Sequence, residues 1–166
     1  MKKEQIIIVD KNDNIIWHKE REKITIWKDI YRCSTLRVKN NKWEILITKR
    51  SSNKKINPWK RSSAVAWTNE KWETYESNII KETLEEIWIN LNKFEKVWKL
   101  MIENNSAFCT IFKTIINYDI SKFKLQNEEV EEIKWINIID LETKLRTNPE
   151  EFTPWFETLI RTLKLL

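Results

Sequence analysis

Apolar and polar positions alternate in short bursts through the first third of the chain, shift once to helical spacing, alternate again, and finish in helical spacing. Ile6–Asp10 and Asn14–Trp17 are rich in β-formers and flank Lys11-Asn12-Asp13, which predicts a hairpin or two short strands. Tyr31–Lys39 and Glu44–Lys49 read as strands paired across Asn40–Trp43, a basic loop with a proline follows from Lys54 to Arg61, and Ser63–Ala66 reads as a short buried strand. From Thr74 to Ile87 the period becomes that of a helix, with Ile80, Leu84 and Ile87 expected to form its apolar face. Two long strands, Phe94–Glu103 and Ala107–Asn117, meet at the turn Asn104-Asn105-Ser106, and Ile133–Ile138 is a further strand. Helices over Ile139–Arg146 and Pro149–Leu165 close the chain. Strands with one internal helix and terminal helices predict an α+β fold, an α/β/α sandwich, and no repeat or linker divides residues 1–166.

Composition narrows the class. The chain has 166 residues, enough for one domain with a real core, and 41% of them are hydrophobic. No apolar run approaches the roughly 18 to 20 residues of a membrane span, and Ile6-Ile7-Ile8-Val9 stops at Asp10, too soon for a secretory signal. Two cysteines, Cys33 and Cys109, form neither a disulfide framework nor a metal pattern, so a cytoplasmic location is expected. The net charge of +5 admits a nucleic-acid surface. No zinc spacing, basic helix or aromatic RNA-binding pattern accompanies it, so a nucleic-acid partner is not expected.

One feature is abnormal. The sequence holds no glycine and ten tryptophans, where a usual share of roughly 7% glycine would give about a dozen. Eight of the tryptophans, at positions 17, 27, 43, 59, 67, 72, 88 and 98, are read as glycine positions, several of them in polar, turn-forming contexts such as Asn41-Lys42-Trp43 and Pro58-Trp59-Lys60. Only Trp135 and Trp155 stand in ordinary packing contexts. Some bacteria read UGA as glycine and others as tryptophan, so glycine at those eight positions of the natural chain is an expectation.

The candidate chemistry lies on the internal helix. Glu82, Glu85 and Glu86 fall at i, i+3 and i+4, within reach of one another on one face, expected to lie opposite the Ile80, Leu84, Ile87 row. Such clustered carboxylates repel, and a hard divalent cation relieves the repulsion. Arg50, Lys54, Lys55, Lys60 and Arg61 precede them and could hold phosphate oxygens, Arg50 foremost. Glu128, Glu129, Glu131 and Glu132 are candidates for a general base.

From Trp67 to Ile89 the chain resembles the Nudix box, G-x(5)-E-x(7)-R-E-U-x-E-E-x-G-U with U a bulky apolar residue. Glu73, Glu82, Glu85 and Glu86 all match, while Trp67 and Trp88 stand at the two glycine positions. Lys81 replaces the arginine and Thr83 the apolar residue; lysine keeps the charge but loses the bidentate fork. Asp10–Arg21, Ile45–Ser51, Asn57–Ala66 and Asn148–Phe156 extend the resemblance to the branch that also contains isopentenyl-diphosphate isomerase.

The resemblance implies a Nudix sandwich with a mixed central sheet. It implies an Mg²⁺- or Mn²⁺-dependent pyrophosphohydrolase acting on a small-molecule diphosphate, a nucleoside diphosphate derivative. Glu82, Glu85, Glu86 and the backbone carbonyl of Trp67 would face metal, Glu73 would support them, and Arg50, Lys60 and Arg61 would bind substrate. The isomerase is the alternative, but Ser63-Ala64-Val65-Ala66 lacks the cysteine that the isomerase carries before the box. A homodimer stays open.

Overall fold

The computed structural model describes residues 3–103 and 106–163. Its strands are β1 (Gln5–Val9), β2 (Ile15–Glu20), β3 (Ile30–Lys39), β4 (Glu44–Arg50), β5 (Arg61–Ser63), β6 (Val65–Thr68), β7 (Glu95–Ile102), β8 (Ala107–Ile115) and β9 (Val130–Asn137). The helices are α1 (Tyr75–Ile87), α2 (Ile138–Thr147) and α3 (Pro154–Leu163). The expected turn at Asn104-Asn105 and the helix end at Leu165 lie outside the described residues.

β3 organises the sheet. It pairs antiparallel with β6 through Cys33↔Thr68 to Leu36↔Val65, and parallel with β8 from Tyr31↔Ala107 to Lys39↔Ile115. β4 turns back from β3 and carries β5 and β9 antiparallel, while β7 pairs antiparallel with β8. The sheet is therefore mixed, as the α/β/α expectation requires.

Alternation divides the core between two faces. Leu46 of β4 and Phe112 of β8 point toward α1, where they join Leu36, Val65, Tyr75, Ile79 and Ile87. Ile45, Ile47, Cys109 and Ile111 point the other way and pack with Leu141, Leu145, Phe152, Phe156, Leu159 and Ile160 from α2, α3 and the segment between them. Hydrophobic positions at period 2 in the strands and near 3.6 in the helices produce this layering directly.

Two boundaries differ from expectation. The single strand over Ser63–Ala66 is two, β5 and β6, separated at Ala64 so that one pairs with β4 and the other with β3. The last helix begins at Pro154 instead of Pro149: residues Pro149–Glu151 form a separate 3₁₀ turn. Proline has no N–H to continue a helix but suits its first position, so Pro154 restarts the chain as α3. Among the described residues no helix is long and apolar enough to cross a membrane.

Candidate active site

The loop from Thr68 to Thr74 and the first turns of α1 are stitched together by polar groups. Asn69 is fully buried; its backbone N–H donates to the Arg32 carbonyl at 2.9 Å and its side chain donates to the Thr74 carbonyl at 3.0 Å. Thr74 caps the helix: its hydroxyl accepts from the Ser77 N–H at 3.1 Å, and Ser77 Oγ accepts from the Thr74 N–H at 2.8 Å. These bonds satisfy donors that a helix start leaves open.

Glu73 ties loop to helix. One carboxylate oxygen accepts from the Glu70 N–H at 2.7 Å and from Asn78 Nδ2 at 2.9 Å, while the other accepts from Lys81 Nζ at 2.8 Å. Lys81 also donates to Glu70 at 2.9 Å. Burial opposes a charge on Lys81, but the hydrogen bonds to Glu73 and Glu70 outweigh it and hold its pKa above the ordinary lysine value. The ammonium that stands in for arginine thus serves two carboxylates as a point charge.

α1 is rotated relative to the expectation from its apolar spacing. Tyr75, Ile79, Thr83 and Ile87 form the buried i+4 row, with Glu82 and Glu86 beside it, whereas Ile80 and Leu84 are exposed. Ile80 and Leu84 mimic an inward face, but packing of Tyr75, Ile79 and Ile87 against β3 and β6 turns the helix the other way and buries Glu82 and Glu86 with them. Glu85 lies in solvent, so the three carboxylates are near one another without equal burial.

The buried carboxylates are unfinished. Glu82 Oε1 lies 3.3 Å from the Lys81 ammonium yet has no hydrogen-bond partner of acceptable geometry. Burial, with repulsion from Glu85 and Glu73, pushes the Glu82 pKa up to about 7 against the pull of Lys81. Glu86 rises well above its ordinary value, first because it is buried and then because Glu82 and Glu129 repel it. Glu70, Glu73 and Glu82 also bring carboxylate oxygens within 4.8 Å of one another. An orphaned oxygen among repelling, desolvated carboxylates is a donor set that suits a hard divalent cation.

Cations approach from the loop after β4. Arg50 donates to the carbonyls of Ile56 and Asn57 at 3.0 to 3.3 Å, and its charge acts on Glu86 and Glu129. Lys54 pairs with Glu129 and stands 4.2 Å from the ring centre of Trp67. The Arg21 guanidinium stands 4.9 Å from that ring, and its Nη2 is buried without a partner. Of the four distal glutamates, Glu129 is brought to this cluster; Glu131 pairs with Lys49 and Glu132 with Arg61.

Arg61 therefore has its guanidinium committed to Glu132, at 3.1 and 3.2 Å, and Lys60 contributes its backbone carbonyl to Arg50. The sequence ranks Arg50 foremost among these cations, and Arg50 is the one of the three whose charge acts on Glu86. Arg21, fifty-odd residues before α1 in the chain, carries no local signal and reaches the site only because the β1–β2 hairpin folds beside β6.

No family model matches the chain. It is 30% identical over 156 residues to a prenyl-diphosphate phosphatase of Methanosarcina mazei, covering 88% of this chain and 86% of that protein. It is 25% identical over 169 residues to isopentenyl-diphosphate Delta-isomerase 2 of Photorhabdus laumondii, covering 96% and 92% of the two. The crystal structure of a hypothetical Nudix protein from Deinococcus radiodurans superposes with a TM-score of 0.85 at 16% identity, over 96% of this chain and 98% of that one. With the box acids, the mixed sheet and these likenesses together, the chain belongs to the Nudix family, and it is a Nudix hydrolase.

Proposed function

We propose that this protein is an Mg²⁺- or Mn²⁺-dependent hydrolase of an organic diphosphate, with Glu82, Glu85 and Glu86 as the metal-binding acids. The orphaned Glu82 oxygen beside the buried Glu86 carboxylate supports the reading most strongly. Bound there, a divalent ion would neutralise diphosphate oxygens and lower the pKa of water. The protein's own part is positioning: Glu73 and Lys81 fix the loop against α1, Arg50 and Lys54 add positive charge beside Glu86, and Glu129, which pairs with Lys54 and repels Glu86, would be the proton acceptor. The family resemblance implies a nucleoside diphosphate derivative, but the box marks only the diphosphate, and the prenyl-diphosphate phosphatase relative shifts our proposal toward a prenyl diphosphate. The isomerase reading is weaker because Ser63–Ala66 offers no thiol. Release of phosphate or pyrophosphate from a panel of prenyl and nucleoside diphosphates, with and without Mg²⁺ and beside Glu86→Gln, tests the assignment. Metal-dependent turnover that disappears in Glu86→Gln supports it, and turnover retained there overturns it.

We also infer that the natural chain carries glycine at positions 17, 27, 43, 59, 67, 72, 88 and 98. Trp27, Trp43, Trp59, Trp72 and Trp88 have φ between 57° and 77°, the left-handed region where a side chain other than glycine is strained. Trp88 closes α1 in the glycine position of a helix end: its N–H donates to Leu84, and the next N–H, of Ile89, donates to Thr83. Trp17 and Trp98 sit at register shifts of their strands. The Trp67 ring stands against both the Arg21 guanidinium and the Lys54 ammonium, a space that glycine would leave open. The mass of a peptide spanning residue 67 from the natural source decides it: tryptophan there overturns the inference.

A further inference from the structure

Cys33 and Cys109 are far apart in the sequence but directly paired in register across the parallel strands β3 and β8. Neighbouring strands run about 4.8 Å apart, inside the roughly 4.4–6.8 Å range of Cα separations that a disulfide spans. Directly paired residues project to the same face, and Cys33 packs against the buried cluster that holds Cys109. Both cysteines are free. Their surroundings differ: Cys109 is 1% exposed, whereas Cys33 is partly open to solvent.

We propose that Cys33 and Cys109 are a peroxide-oxidisable thiol pair, with Cys33 the attacking thiol and Cys109 the resolving one. The Cys33 sulfur attacks a peroxide oxygen, the O–O bond breaks, and Cys33 becomes a sulfenic acid as one water leaves. The Cys109 sulfur then displaces the sulfenic oxygen, forming the S–S bond and releasing the second water. Two thiols and one hydrogen peroxide thus give one disulfide and two waters. The order of attack follows from access. The neighbouring Cys33 thiol, and then burial, push the Cys109 pKa well above the ordinary thiol range, so Cys109 is the poorer first nucleophile of the two.

The closed loop would run from residue 33 to residue 109 and so enclose the whole box from Trp67 to Ile89. A cross-link of that span limits the unfolded chain, and a rise in Tm on the order of 5–10 °C is expected for a protein of this size. Full-length protein treated with hydrogen peroxide should lose two hydrogens in mass and both titratable thiols together, with a Cys33–Cys109 peptide in the digest. Cys109→Ser should instead accumulate a Cys33 adduct with a cyclic 1,3-diketone, the trap for sulfenic acid. Cys33→Ser should leave Cys109 unmodified under the same conditions. Retention of both thiols in the oxidised wild type, equal reactivity of the two single variants, or a cross-linked form with no gain in Tm would each overturn the proposal. All of these readouts are independent of hydrolase activity.

Discussion

Two groups of buried carboxylates behave in opposite ways. Asp13, at the tip of the β1–β2 hairpin, accepts from Arg32 at 2.7 Å, Lys99 at 2.7 Å and Tyr75 at 3.0 Å. Burial alone would raise its pKa, yet these partners hold it below the ordinary aspartate value. Glu82 and Glu86 are buried to a similar degree and are pushed the other way, because their near neighbours include other carboxylates and one oxygen has no partner. The first group is a completed structural network joining the hairpin, β3, β7 and α1. In the second, Lys81, Lys54 and Arg50 only partly offset burial and carboxylate repulsion, and the net shift stays upward. Burial is common to both; the partners alone separate structure from candidate chemistry.

The largest test of this contrast is activity. Glu86→Gln should reduce metal-dependent hydrolysis by roughly a hundredfold or more, about 3 kcal/mol of barrier, measured as kcat/KM on the best substrate of the panel. The same change should stabilise the metal-free protein at pH 8, on the order of 1–3 kcal/mol by chemical denaturation. Asp13→Ala should do the reverse, removing about 3–5 kcal/mol of stability by leaving Arg32 and Lys99 without their shared anion. If both variants move stability in the same direction, the contrast fails.

pH offers the next test, and the signs differ. Glu82 binds its proton more tightly folded than unfolded, so metal-free stability should fall as pH rises from the ordinary glutamate value of 4.5 to about 7. The loss is on the order of 3 kcal/mol, and saturating Mg²⁺ should erase it. Asp13 binds its proton less tightly folded, so its contribution is intact above about pH 4 and disappears as pH falls further. Thermal melts across pH 4 to 8, with Mg²⁺ and with a chelator, separate the two. The smallest effect belongs to the left-handed tryptophans: Trp88→Gly should gain about 1 kcal/mol and raise Tm by roughly 2–4 °C. No gain there counts against glycine at the helix end.

The sequence by itself determined the class of fold, because period-2 and period-3.6 patterns are local and set the type and order of the elements. It also determined the box: four glutamates at set spacing, three of them on one helix, need no tertiary information to be seen. It singled out the eight tryptophans proposed to be glycine, several of them through their turn-forming neighbours, and five of those positions have left-handed backbone. What it misread was the facing of α1. Ile80 and Leu84 match a helical period as well as Ile79 and Thr83 do, and only the packing of Tyr75, Ile79 and Ile87 under β3 and β6 decides which row is inward. Tertiary structure alone also decided which loop charges count. Arg50, Lys54 and Glu129 act on Glu86, Arg21 reaches only the Trp67 ring beside them, and Arg61 spends its charge on Glu132. Long-range electrostatics depends on distances in space, which residue spacing does not encode once the chain leaves a single helix or strand.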